Sequence, residues 1–293
     1  MKKIIAFSLW GDTPMYTVGA VRNAELVPEV YGDSWTSRFY ISNDVPSEVV
    51  EKLKSLPQTE IVNLNEPPDW FGMFWRFLAI DDSDVVIFRD TDSRITQRER
   101  LAVEEWLSSG RTLHIMRDHP YHSEPIMGGM WGCVSNKIVT QINQNQHIPN
   151  NLLPINSIKE GIEIWLDWQF VSLPNKKHNS KGIDQQWLRE VIYPNCYKDA
   201  MIHDSFPMYQ PWSNRFEWNA RPDNFGESED NRGFPITRRR YIHPEKNVSL
   251  LDWNDFVGQV YDENDIPNEE YANLIEHRDK CLYDDSILRE STV

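Results

Sequence analysis

Asp90 and Asp92, in Arg89-Asp90-Thr91-Asp92-Ser93-Arg94, are the residues of this 293-residue chain whose type and spacing most directly suggest chemistry. They follow Val85-Val86-Ile87-Phe88, four apolar residues that read as a strand buried on both faces of a parallel sheet. Two carboxylates separated by one residue converge when the chain turns just after such a strand, and they offer hard oxygen ligands suited to Mg2+ or Mn2+. A cation held there would neutralise charge on a phosphate-bearing substrate and act as a Lewis acid for its leaving group. Asp-X-Asp triplets also cap helices and decorate turns, so the buried strand ahead of this one is what gives it weight. Arg89 and Arg94 either offset repulsion between the carboxylates or reach a phosphate.

Other candidates lie farther along. His203, in Met201-Ile202-His203-Asp204-Ser205, is the best placed third ligand, with a hydrogen-bonded structural histidine as the ordinary alternative. His119 and His122, flanking Pro120, form a rival cluster that a rigid loop explains equally well. Gly128, Gly129 and Gly132 crowd into Pro125–Gly132, where backbone can approach a ligand or simply turn tightly. Asp184, in Gly182-Ile183-Asp184-Gln185-Gln186, opens a helix and is read as its N-cap.

The elements that must position these residues alternate. Ile4–Leu9 is a compact β-rich run, Tyr16–Val30 a helix, Ser37–Ser42 a strand, Ser47–Leu56 a helix capped by Ser47, and Ile61–Leu64 a third strand. After Pro67-Pro68, the segment Trp70–Ile80 spaces Phe71, Phe74, Trp75 and Leu78 helically, as a helix packing on a sheet requires. Beyond the acid pair come a helix over Glu99–Ser108 with Gly110 near its end and a strand over Thr112–Met116. The pattern predicts an α/β fold with an open, mostly parallel central sheet flanked by helices, whose ligand sites lie beyond the strand C-termini. The second half is less regular: polar residues 141–151, helices near Ile162–Phe170 and Asp184–Val191, and a Pro-, Trp- and Asn-rich stretch over Pro207–Pro235.

Composition narrows the function classes. Acidic residues outnumber basic ones 45 to 30, so nucleic acid and anionic membranes are repelled on average; Arg238-Arg239-Arg240 is read as a solvated turn or strand edge. Cys133, Cys196 and Cys281 are far apart and lack metal-ligand spacing, which fits a reducing, cytoplasmic compartment. No run approaches the roughly 18 consecutive apolar residues of a membrane span. The apolar run after Met1 closes on Gly11-Asp12 as a strand would, without a leader's cleavage pattern.

In this order, the strand with Asp-X-Asp, the glycine-rich turn, Asp184-Gln185 at a helix start and the late His203-Asp204-Ser205 resemble metal-dependent glycosyltransferases of the GT-A fold, especially glycosyltransferase family 8. Trp75-Arg76-Phe77, Met116-Arg117-Asp118-His119-Pro120 and Gly128-Gly129-Met130-Trp131-Gly132 further resemble a group of glycosyltransferase-like sequences from microbial genomes. The likeness runs over roughly residues 1 to 260. It implies that Asp90, Asp92 and His203 hold Mn2+ or Mg2+, that Arg76 contacts the donor, and that Asp184 and Gln185 face the donor sugar. It also implies that Ser8 and Trp10 lie where the nucleotide base sits, and that Gly128 and Gly129 flank sugar and acceptor. Residues 1–250 would form a GT-A-like nucleotide-sugar transferase domain and 251–293 an acidic helical extension packed on it. The donor would be a nucleotide-diphosphate sugar, a uridine diphosphate sugar being the first candidate, and the acceptor a glycan, a lipid-linked saccharide or a protein. Gln186 stands where family 8 members often carry a further acid, which leaves the stereochemistry open. The alternatives are a phosphohydrolase of the haloacid dehalogenase type, with Asp90 as nucleophile, and a non-catalytic glycan- or partner-binding module built on the 12 tryptophans.

Overall fold

The computed structural model describes residues 1–65, 69–117, 124–145, 154–172, 181–204, 227–229, 235–239 and 257–267. Strands β1 (Lys3–Leu9), β2 (Trp35–Ile41), β3 (Thr59–Asn63), β4 (Val85–Phe88), β5 (Leu113–Arg117), β6 (Trp131–Val134), β7 (Ala200–Asp204), β8 (Glu227–Glu229) and β9 (Pro235–Arg239) form one sheet in the order 3-2-1-4-6-5-7-9-8. β6 runs antiparallel to both its neighbours, β4 and β5, and β8 antiparallel to β9; the other pairings are parallel. This is the mostly parallel, helix-flanked α/β sheet that the GT-A resemblance implies. Arg238 and Arg239 lie in β9, paired with Ile202 and His203 of β7.

The helices are α1 (Pro14–Tyr31), α2 (Ser47–Ser55), α3 (Gln97–Ser109), α4 (Ser135–Asn145) and α5 (Ile158–Ser172), with a 3-10 helix over Trp70–Asp82. Then α6 (Ile183–Trp187) continues through a π turn at Leu188–Ile192 into α7 (Tyr193–Cys196). Two sequence expectations need correction. Ser47 begins α2 rather than capping it, because Pro46 holds the cap position without a side-chain bond. The polar stretch from Gln141 belongs in part to α4, whose buried Ile138 and Ile142, four apart, outweigh its polar majority.

Both sheet faces are covered, which is why β1 and β4 read as unbroken apolar runs. Ile4, Ala6, Val86 and Phe88 face one core with Phe74, Phe77, Trp131 and Trp187, while Ile5, Phe7, Leu9, Val85 and Ile87 face the other with Ala20, Ala24, Val27 and Trp106. Because β6 is reversed, its N-terminal approach through Gly128 and Gly129 arrives at the same edge as the C-termini of β1, β4, β5 and β7. Topology alone therefore gathers Ser8, Trp10, Asp90 and the glycine pair at one rim.

Of the expected C-terminal extension, residues 257–267 form turns and an isolated bridge between Tyr261 and Pro267 rather than helix. They pack against the main body, with Val257 fully buried beside Met116 and Met130. The rest of 251–293, most of Pro207–Pro235, His119, His122 and Cys281 lie outside the described residues.

Candidate active site

The site begins with aromatic packing. Phe77 stacks on Trp187 at 5.7 Å between ring centroids and meets Phe88 and Trp131 edge-on at 5.1 and 5.4 Å. Burying Phe77 in this cluster contributes on the order of 2–3 kcal/mol, and it also locks the 3-10 helix and α6 together at the end of β4. The residue before Phe77 is Arg76 and the residue three before Trp187 is Asp184, so this stack brings the two side chains together. Arg76 Nη2 donates to Asp184 Oδ2 at 3.1 Å, and Arg76 Nη1 donates to Asp90 Oδ1 and to the Arg89 carbonyl at 3.4 Å.

Arg76 is thus a buried cation shared by two carboxylates from distant parts of the chain. Burial alone would lower its pKa, but Asp90 and Asp184 outweigh that and raise it, so the guanidinium stays charged. Asp184 is fully buried, and burial, reinforced by Asp90's charge and opposed by Arg76, raises its pKa. Asp184 does not cap its helix as the sequence suggested. Gly182, at φ 87°, takes the cap position, which frees the Asp184 carboxylate to turn toward Arg76. The Ser8 hydroxyl accepts from the Arg76 backbone N–H at 3.1 Å, and Trp10 lies edge-on to Trp75 at 6.0 Å.

The Asp90–Ser93 turn is closed by Ser93, whose N–H and hydroxyl donate to the Asp90 carbonyl at 3.3 and 2.9 Å. Asp92 keeps partial contact with solvent. Burial and the neighbouring Asp90 push its pKa up to about 7. Burial, and after it the charges of the same two acids, raise the pKa of the Tyr16 phenol. Lys181, exposed just before α6, partly offsets the effect at Asp92. Neither Tyr16 nor Lys181 was singled out from sequence, where each stood in an unremarkable local string.

The glycine pair closes the arrangement. A Cβ on Gly129 would overlap the Asp90 carboxylate, and one on Gly128 would overlap that of Asp184 and sit 2.6 Å from Arg76 Nη2. Any side chain there would displace the acids, so the turn is glycine because the carboxylates already occupy that space. Gln185 Oε1 is buried here without a hydrogen-bond partner.

Structures of known proteins that match this chain are remote in sequence and backbone. No protein-family model and no curated protein matches it. A mannosyltransferase from Pyrobaculum calidifontis in complex with GDP-Man and Mn2+ is 12% identical, with 48% of this chain and 46% of that chain covered and a TM-score of 0.38. A glycosyltransferase involved in the glycosylation of the major capsid of PBCV-1 is 13% identical over 71% of this chain and 84% of that chain, TM-score 0.41. Glucosyl-3-phosphoglycerate synthase from Mycobacterium tuberculosis, in complex with Mg2+ and uridine-diphosphate, is 13% identical over 59% and 66%, TM-score 0.34. The match thus spans less than half of the mannosyltransferase.

His203 is not brought to the acid pair. Its Nδ1 lies 2.9 Å from His114 Nε2 and its Nε2 3.0 Å from Glu105 Oε2, so both ring nitrogens are engaged between β5 and α3. Its ring is 2% exposed, and among the described residues no three His, Cys, Asp or Glu side chains form a group able to hold an ion. Of the three expected ligands, Asp90 and Asp92 share this turn and His203 does not. Mg2+ commonly takes only one or two carboxylates and completes its shell with substrate phosphates and water, so two acids fit that use. The charge repulsion that lifts Asp92 is the tension a dication would relieve.

Proposed function

We propose that this chain is a metal-dependent glycosyltransferase that moves a sugar from a nucleotide-diphosphate sugar to a carbohydrate-type acceptor, with its donor site at the Asp90–Asp92 rim. The observation that carries the reading is the convergence of Asp90, Asp92, Arg76, Asp184, Gly128 and Gly129, drawn from four separate segments, at the C-terminal edge of parallel strands. In such sheets that edge is where ligands bind. Asp90 and Asp92 would hold Mn2+ or Mg2+, and a bound dication supplies Lewis-acid stabilisation of a departing diphosphate.

The chain's own residues do the rest. Arg76, kept charged by two acids, holds Asp90 and Asp184 in fixed positions and adds positive potential beside the diphosphate. Gly128 and Gly129 let backbone lie against those acids, so that the carboxylates keep the positions a side chain would take from them. Asp184 and Gln185 would face the donor sugar, and Gln185 Oε1, buried without a hydrogen-bond partner among the described residues, is suited to accept from a sugar hydroxyl. Lys181, whose charge is felt at Asp92, would offer a cation to a phosphate oxygen. A net charge of -15 would otherwise repel the donor, so local cations must overcome the global field.

The phosphohydrolase reading is not favoured: it wants its acid pair on an early strand, whereas β4 is fourth in the chain. A glycan-binding module built on tryptophans fares no better, since Trp106, Trp131, Trp165 and Trp187 are fully buried core. The deciding experiment measures manganese-dependent binding of uridine and guanosine diphosphates and hydrolysis of their sugars by the unaltered chain and by Asp92→Asn. We expect the variant to fold and to lose both; full turnover by Asp92→Asn would refute the assignment.

A further inference from the structure

The acid pair sits on a turn that is tied down from two sides. From below, α1 crosses it with Gly19, where a Cβ would overlap the Thr91 carbonyl, and with the buried Asn23. Asn23 Nδ2 donates to the Ser93 carbonyl at 2.8 Å, and its Oδ1 accepts from the Ile95 N–H at 3.0 Å. From above comes a segment more than 160 residues later in the chain.

There the Tyr261 N–H donates to the Asp92 carbonyl at 2.8 Å. Arg94 Nε and Arg22 Nε donate to the two oxygens of Asp265 at 2.9 and 2.7 Å, and Arg94 Nη2 donates to the Asp262 carbonyl at 3.2 Å. The Arg94 guanidinium lies under the Tyr261 ring, 5.1 Å from its centroid, while Arg94 Nη1 donates back to the Thr91 and Ser93 carbonyls at 3.3 and 2.9 Å. Asp262 Oδ1 accepts from the Asn264 and Ile266 N–H groups, each at 2.8 Å, which closes a tight turn and holds Asp265 at φ 62°. A non-glycine residue keeps a left-handed backbone only where its surroundings impose it, and here that conformation aims its carboxylate at two arginines.

We propose that Tyr261–Asp265 is a clasp that sets the geometry of the Asp90–Asp92 turn, with Asp265 as its positioning residue acting through Arg94. The inference rests on the reading of Asp90 and Asp92 as a cation site and deepens it. Arg94, one residue past Ser93, joins the turn's carbonyls to the clasp. Fixing the Asp92 carbonyl fixes the direction in which the Asp92 side chain leaves the backbone. Polar partners that orient metal-binding side chains are commonly worth about tenfold or more in metal affinity.

The test uses the full chain and its Asp265→Asn and Arg22→Gln variants, with Mn2+ alone as the probe. Free manganese is read by its electron paramagnetic resonance signal, at a temperature far below every thermal midpoint. We expect Asp265→Asn, which keeps the size and left-handed tolerance of the residue, to weaken manganese binding about tenfold while the protein remains folded. Arg22→Gln should weaken it in the same direction by less. A merely structural contact would move the thermal midpoint and leave the manganese signal of the folded protein unchanged. Should Asp265→Asn not fold, Arg22→Gln decides, because Arg22 is half exposed and its loss spares Arg94. Unchanged manganese affinity in the folded variants overturns the clasp and leaves the cation site standing. An unaltered chain that binds no manganese, alone or with uridine diphosphate, overturns the cation site and the clasp with it.

Discussion

Asp92 shows at the scale of one residue how a binding site works against the stability of its own fold. Its carboxyl is held near neutrality by burial and by Asp90, with a pKa of about 7 against an ordinary 3.8. A carboxyl whose folded pKa is raised contributes stability that is complete below its unfolded value and is lost as pH rises through the folded one. The metal-free protein should therefore lose stability between about pH 4 and 7 on this account. Asp92→Asn removes the charge without the hydrogen-bonding shape. Its thermal midpoint, compared with that of the unaltered metal-free chain, should be similar at pH 4.5 and higher at pH 8. A gap of roughly 2 kcal/mol is expected, about half of the full shift because the group keeps contact with water. Chemical denaturation at the two pH values in the presence of a chelator measures it; a gap that does not widen with pH would count against charge repulsion in the site.

Elements matter here less for their length than for what they hold still. α1 buries Asn23 completely; its amide donates to the Ser93 carbonyl, which Arg94 Nη1 also reaches, and accepts from the Ile95 N–H. Asn23→Ala leaves the Ile95 N–H without that partner and the Ser93 carbonyl with Arg94 in its place, which should cost about 1–3 kcal/mol in a denaturant titration and loosen the turn that bears the acid pair. A cost below about 0.5 kcal/mol would show that the turn holds itself. The link between 3-10 helix and α6 works by the same logic: the Phe77–Trp187 stack, an apolar contact, is what lets the charged Arg76 and Asp184 meet. Below the turn, Arg89 forms a buried pair with Glu99, which also accepts from the Tyr31 hydroxyl at 2.8 Å, tying β4 to α3 and α1.

Across the whole molecule the acidic excess sets the response to pH. Asp82 and Asp265, despite partial burial, are held below the ordinary carboxylate range by Arg38 and Lys2 and by Arg94 and Arg22 respectively. Groups with depressed folded pKa values stabilise above their unfolded value and lose that contribution as pH falls through the folded one. Below about pH 4, urea midpoints should accordingly decline, with Asp82→Asn flattening the decline. Equal acid sensitivity in that variant would remove Asp82 from the explanation. The bonds involved join β2 to the 3-10 helix and the C-terminal segment to α1, so acid loosens the two seams that frame the sheet.

The first half of the fold and the acid pair were legible in the amino-acid order because they depend on local patterns. An unbroken run of four apolar residues has the pattern of a strand covered on both faces, and two carboxylates just after such a strand lie at its end. The positions of α1, β4 and α3 follow from period, cap and glycine stop alone. What packing decided was everything that depends on distant segments meeting. The antiparallel β6 was hidden inside a glycine-rich string, and its reversal is what delivers Gly128 and Gly129 to Asp184 and Asp90. Asp184 read as a helix cap, yet its carboxylate meets Arg76, 108 positions earlier, because an aromatic stack draws their elements together. His203 carried the right residue type and strand-end context, and only the fold shows its nitrogens spent on His114 and Glu105. Local sequence encodes which backbone shapes are cheap; which side chains face one another is set by burial of surfaces far apart in the chain, and that has no signature within any single window.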